Sequence, residues 1–356
     1  MATYKKPIYC DFEFLKKVRN SNGCFSTFGS NDAMKFWLNT LQLLLKSKVQ
    51  LNIDTKTFLN HTKNGEGDTF SELWKRVANG ECEISFLEDH NTKFYENKLA
   101  SSDGVKSAYL INEKVSIANH NSKKYGVVII TPDCWQDNES ARKKAYLFMD
   151  NGWAATKGEH KNWSDILRSG EYKLSECNSM VIIDNYIAKS DLVIEKNLYP
   201  ILKELLPCEL NKNTKFHLTI MTKKSRPYGF NYNELYNALK NKINELFPNL
   251  KLQFDLYLED GIGEFHDRAI ITNNAMICCD GGFDLINSRG KMSKHTKWSI
   301  VYQGIHICEG ATDVSYYNLM QEARKLTKKL RSGVGGECYP KNCDFNNRLL
   351  DLESER

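Results

Sequence analysis

Long apolar runs are missing from this chain. No stretch approaches the ~20 apolar residues that a membrane helix needs, and the opening MATYKKPIYC runs into a strand too early for a secretory leader. A helical membrane anchor is excluded on that reading, and a cytoplasmic protein is expected. Paired cysteine motifs are missing too. The 11 cysteines are odd in number and include no C-x-x-C, so a zinc ribbon or a thioredoxin-type redox site is not expected. Cys278 and Cys279 are adjacent, and neighbours on a strand face opposite sides, which makes them poor disulfide partners. All the cysteines read as reduced thiols, many of them small core residues. Proline is scarce while lysine and asparagine are abundant, a bias associated with AT-rich bacterial coding. Strong charge of one sign is absent as well: a net charge of +5 admits an anionic partner without requiring one.

What is present is an ordinary globular composition, 41% hydrophobic and 26% charged, over 356 residues. That length is too great for one typical core and implies two domains. The organisation expected is an α/β domain over 1–150, a junction over 151–175 rich in Gly and Trp without a sustained period, a second domain over 176–330, and a polar tail over 331–356, ordered only in part.

In the first domain, Pro7 to Cys10 reads as a strand that ends at Asp11. Asn31 to Ser47 has helical spacing, with Phe36, Trp37, Leu41, Leu44 and Leu45 on one stripe. Short strands are expected at Val49–Ile53, Glu83–Leu87 and Lys106–Ile111, and a helix at Phe70–Val77 carries Glu72. The unbroken run GVVIIT (Gly126 to Thr131) suits a buried parallel strand. It ends at Pro132-Asp133, with Asp137 four residues on and a helix expected from Asn138 to Met149. In α/β folds the carboxyl ends of strands converge on the ligand edge. Asp11, Asp133 and Asp137 meeting there would hold Mg²⁺ or Mn²⁺, hard ions that prefer oxygen ligands. The competing reading is that these aspartates cap turns and helices. IYCDFEFL and VIITPD are similar to the opening and late strands of PIN-type ribonucleases. That resemblance implies a PIN-like domain with metal-dependent phosphodiester chemistry.

The second domain alternates strand and helix: a strand at Ser179–Ile187 with Asp184 near its end, a helix at Leu198–Leu206, a strand at Phe216–Thr222, a helix at Tyr232–Phe247 and a strand at Lys251–Leu258. A mixed sheet flanked by helices is expected. His217 alternates with apolar neighbours and reads as a satisfied sheet histidine. His160 sits in a polar loop and reads as solvated. The most distinctive stretch is EFHDRAIITNNAMICCDGGFDLI, from Glu264 to Ile286. It reads as two strands joined at Asn273-Asn274, a pair that tolerates positive φ, followed by a Gly281-Gly282 bend. His266-Asp267-Arg268 precedes the first strand. On extended backbone His266 and Arg268 share a face, joining a proton carrier or nucleophile to a fork that matches phosphate oxygens. A basic loop follows, SRGKMSKHTKW, with Arg289, Lys291, Lys294, His295 and Lys297.

This stretch resembles the phospholipase D superfamily, in the divergent "HDR" form of many bacterial proteins and of the terminal domain of some eukaryotic MIT-domain proteins. The resemblance covers roughly Asn178 to Ile307. Arg268 stands where that family has Lys, and Asn273 where its Asp would fall. The resemblance implies a phospholipase D-like domain with His266, Asp267 and Arg268 in the site and no cofactor there. A second histidine would come from His295 or from a twofold partner copy. Lys291 and Lys294, with Arg268, would bind phosphate. The function expected is a nuclease-like phosphodiesterase acting on nucleic acid, as part of a bacterial defence system. The alternatives are a non-catalytic module binding a phosphate-containing ligand (nucleic acid, nucleotide or lipid), or an accessory protein working with a partner protein of such a system.

Overall fold

The computed structural model describes residues 7–23, 40–41, 44–45, 47–62, 69–87, 94–99, 108–133, 148–150, 154–168, 176–260, 268–302, 315–341 and 347–350. They belong to two compact α/β units, divided in sequence between Leu147 and Phe148.

The first unit runs β1 (Pro7–Cys10), α1 (Phe12–Gly23), β2 (Lys48–Leu51), α2 (Thr55–Thr62), α3 (Thr69–Ala78), β3 (Glu83–Phe86), α4 (Phe94–Leu99), β4 (Ala108–Leu110), α5 (Val115–Tyr125) and β5 (Ile129–Ile130). Its strands are all parallel, in the order β3-β2-β1-β4-β5. Strand side chains alternate, and here both faces are buried. Ile8, Cys10, Leu110 and Ile130 join one core with Phe14, Phe58 and Phe70. Tyr9, Tyr109, Ile111 and Ile129 join the other, with Tyr95 and Tyr125. Of the helix expected over Asn31–Ser47, residues 40–41 and 44–45 are described and helical, and Leu41 and Leu44 lie in the first core. The chain leaves β1 for β2 and β3 on one side, then returns to β4 and β5 on the other. Loops at the carboxyl ends of β1 and β4 therefore diverge, and a crevice opens between them.

The second unit runs β6 (Phe148–Asp150), β7 (Ala154–Ala155), α6 (Trp163–Arg168), β8 (Ser179–Ile183), α7 (Asp191–Val193), a π-helical turn (Ile194–Leu198), α8 (Tyr199–Leu205), β9 (Phe216–Lys223), α9 (Tyr232–Leu246), β10 (Leu252–Glu259), β11 (Ala269–Thr272), β12 (Ala275–Cys279), β13 (Thr296–Tyr302), α10 (Ser315–Arg331) and β14 (Gly336–Tyr339). Its mixed sheet has the order β14-β10-β9-β8-β11-β12-β13-β6, with β7 also paired to β13. β8, β9 and β10 are parallel, and the rest pair antiparallel. Ile182, Ile220 and Leu256 share one core with Trp163, Leu198, Leu202 and Leu239. On the opposite face α10 packs against β10 and β14.

Three sequence expectations are corrected here. Phe148–Asp150 is a strand rather than the end of a helix, because it pairs with β13 (Ile300↔Asp150, Tyr302↔Phe148) and so satisfies backbone groups that an open edge would expose. The stretch taken as a junction supplies part of the second core, since Trp163 is buried there. The Asn273-Asn274 turn exists, yet among the described residues every positive φ belongs to glycine. The two asparagines act through their amides instead. Asn273 Oδ1 accepts from Asn178 N at 3.0 Å, and Asn274 Nδ2 donates to Glu176 O at 2.5 Å.

Candidate functional site

The crevice of the first unit is a cleft of about 390 Å³. Asp11, the residue after β1, sits at its floor. Asn52, just past β2, donates through Nδ2 to Asp11 Oδ1 at 2.8 Å, and its own Oδ1 accepts from Phe12 N at 2.6 Å. Asn112, two residues past β4, donates its backbone N–H to Asp11 Oδ2 at 3.1 Å. The carboxylate is thus held from both sides of the strand crossover. Burial pushes Asp11 up to about 6; Glu13 and Glu113 push the same way, against the Asn112 N–H.

Glu13 and Glu113 also line the cleft, together with Lys16, His61 and Tyr95. Glu13 is ion-paired to Lys16 on the next turn of α1. Tyr95 Oη donates to Glu113 Oε2 at 3.4 Å, and burial with the neighbouring Glu113 charge pushes the phenol up to about 12. The His61 ring lies 4.9 Å from the Phe12 ring.

Of the three acids named from sequence, Asp11 is in this cleft. Asp133 is exposed after β5 and does not line it, and Asp137 lies outside the described residues. Glu72 is ion-paired to Arg76 at 2.9 Å along α3. Sequence reasoning passed over Glu113, although it stands three residues past a strand neighbouring β1. Among the described residues, no three His, Cys, Asp or Glu side chains close around one ion-sized point.

The second unit carries a charged cluster at the carboxyl end of β8. His266 and Asp267 lie outside the described residues; Arg268, one before β11, is half-buried. Its Nη1 donates to Asp280 O at 2.8 Å, while its buried Nε has no hydrogen-bond partner among the described residues. Asp184 accepts from Tyr186 N at 2.7 Å and Phe283 N at 2.6 Å. Burial raises its pKa, and Arg268 works against that rise. Gly282, at φ +79°, lets these two side chains meet: a Cβ there would stand 2.8 Å from both Arg268 Cδ and Asp184 Oδ2. The sequence sets Asp184 in one candidate cleft with His266, which lies outside the described residues.

In the basic loop the Lys294 side chain is engaged. Lys294 and Lys189 both pair with the buried Asp284, and Lys294 Nζ also donates to Gly281 O at 2.9 Å. Lys291 closes a turn through its N–H to Asn287 Oδ1 at 3.1 Å, and His295 is exposed. His217 accepts Arg348 N on Nδ1 at 3.1 Å, as suits a sheet histidine.

No protein-family model matches the chain, and no curated protein is significantly similar to it. Among solved structures, it is similar to TrmBL2, an archaeal chromatin protein that shows a novel mode of DNA binding. The identity is 16%, the TM-score is 0.24, and the match covers 53% of this chain. The match spans about half of that relative, 54% of its length. No helix among the described residues is long and apolar enough to cross a membrane.

Proposed function

We propose that this protein hydrolyses phosphodiester bonds in nucleic acid, with the first unit's cleft as the reaction site. The observation that carries the reading is Asp11: a carboxylate fixed at the strand crossover and pushed up to about 6. A base with that value takes a proton from an attacking water close to neutral pH. Glu13 and Glu113 leave the cleft too negative for a phosphate on its own. Mg²⁺ or Mn²⁺ held at Glu113 would supply the missing positive charge and polarise a phosphoryl oxygen, so that Asp11 keeps the role of base. Asn52 keeps the Asp11 carboxylate aimed, and Lys16 offsets Glu13 at the mouth.

The test is cleavage of single- and double-stranded DNA and RNA, with Mn²⁺ and with EDTA. Turnover should require the cation, and Asp11→Asn should lower it by about 100-fold or more, the low end of general-base contributions. Folded wild-type protein that cuts none of these substrates would overturn the reading.

A second reading, a phosphate-binding module without turnover, is favoured by the orphaned Nε of Arg268. A bound phosphate oxygen would give that N–H the partner it lacks. Arg268→Glu should then weaken phosphate binding in a salt-dependent way, with no cleavage by either the parent or the variant. Unchanged binding in that variant would remove this second reading.

A further inference from the structure

Among the described residues five large apolar side chains are exposed, and three of them, Tyr186, Leu192 and Tyr228, lie on the two segments that follow β8 and β9, Leu192 within α7. Tyr228 is fully exposed. Its loop is not loosely held. Phe230 N donates to Pro227 O at 3.1 Å, which closes a tight turn. Gly229, at φ +81°, supplies the positive φ that the third position of a type II turn needs.

The base of the turn is clamped by Arg226. Its Nε donates to Ala188 O at 3.0 Å and its Nη2 to Asp191 at 2.8 Å, and the guanidinium stacks 4.8 Å from the Phe230 ring. Arg226 N donates to Tyr232 Oη at 3.1 Å. The fold therefore spends several contacts on fixing a turn whose tip buries nothing. Leaving a large ring in water sacrifices burial energy. Fixing that ring beforehand removes an ordering cost from binding.

The surroundings select the ligand. The two segments, 184–192 and 223–230, hold Lys189, Lys223, Lys224 and Arg226; Lys189 pairs with Asp284, Lys224 with Asp260 and Glu337, and Arg226 with Asp191. The Lys189 ammonium lies 5.6 Å from the Tyr186 ring, and the same lysine reaches Asp284, beside Lys294. Exposed tyrosine rings with lysines beside them are a combination by which single strands are held: bases stack on aromatic faces and phosphates meet the lysines. A duplex keeps its base faces stacked and offers none to such a ring.

We infer that Tyr228, on its clamped turn, is a stacking platform for an unpaired base of single-stranded nucleic acid at the rim of the second unit. The inference rests on nucleic acid being the ligand class proposed above, and it narrows that class to single strands.

The experiment is fluorescence anisotropy of full-length Asp11→Asn protein in EDTA, so that hydrolysis contributes nothing. The probes are a single-stranded oligonucleotide carrying 2-aminopurine and its duplex. Tyr228→Ala should weaken single-strand binding about tenfold and abolish the quenching of 2-aminopurine, the scale of one lost base–aromatic stack. Tyr228→Trp should keep both, and duplex binding should not change. Unaltered single-strand affinity in a folded Tyr228→Ala variant would overturn the inference, as would a loss shared equally by the duplex. No binding of either probe by the parent protein would overturn it too, leaving Tyr228 as a contact for a protein. The two proposals fail separately: wild-type cleavage with Tyr228-independent binding sinks only this one, and Tyr228-dependent binding without cleavage sinks only the hydrolytic one.

Discussion

At the residue scale the molecule is marked by carboxyls that hold protons longer than they should. Asp11 is pushed up to about 6 and Asp255 to about 7, burial being the first cause in both. Unfolded aspartates titrate near about 4. Between that value and the folded one, the native chain binds more protons than the unfolded chain. Stability therefore falls as pH rises through the window and levels off above it. Asp255 makes the cleaner test. Its Oδ1 accepts from Thr219 Oγ1 at 2.6 Å, and the carboxyl is buried. Asp255→Asn keeps the first contact and removes the charge. Thermal unfolding should show a gain at pH 8 and no change at pH 4; equal gains at both would mean the charge is not the cause. For Asp11 the readout is rate. Cleavage should rise with pH through about 6 and then level, and a profile flat from pH 5 to 8 would count against Asp11 as the base. Asp11 was legible in the sequence because it ends an unmistakable strand. Glu113 was not, because only the order of the strands tells which strand end neighbours β1.

At the scale of the element, the β11–β12 hairpin and its glycine bend show what local sequence reports and what it leaves out. The two strands, the Asn-Asn turn and the Gly-Gly bend all stand where the residue pattern puts them. The reason for the second glycine is tertiary. Gly282 combines a left-handed φ of +79° with the passage of Arg268 and Asp184 across its open face. Gly290 offers a control, with φ +69° and nothing within 4 Å of a would-be Cβ. Gly290→Ala should cost only the left-handed penalty, about 1–2 kcal/mol. Gly282→Ala should cost more, about 2–4 kcal/mol, since the added carbon also displaces the Arg268 and Asp184 side chains. Chemical denaturation of the two variants measures the difference, and equal losses would show that the contact is easily relieved. Neither the amide roles of Asn273 and Asn274 nor this crossing could be read locally, because their partners lie up to about a hundred residues away in sequence.

At the scale of the whole molecule, the sequence pattern conveyed two α/β units and their alternation of strand and helix, but not where the chain closes on itself. A partly ordered polar tail was expected beyond residue 331. Of that stretch, β14 pairs with β10, and residues 347–350 reach back to the amino ends of β8 and β9. Polar residues conceal this because each is buried by a partner far along the chain rather than by its own pattern. Asn347 is wholly buried. Its Nδ2 meets Met180 O at 3.0 Å, Thr219 Oγ1 at 3.1 Å and His217 O at 3.3 Å, and Arg348 Nη1 donates to Asn178 O at 2.6 Å. One amide thus serves two neighbouring strands, and Thr219 passes the contact on to Asp255. Truncating Asn347 to Ala would strand buried acceptors on both strands, at about 1–3 kcal/mol for the buried groups left without a partner. In urea the midpoint should fall while the slope stays the same, because the surface exposed on unfolding barely changes. Asn347 and Asp255 share Thr219, so the double variant with Asp255→Asn should depart from additivity. Strictly additive losses would mean that this closure and the buried carboxyl do not communicate.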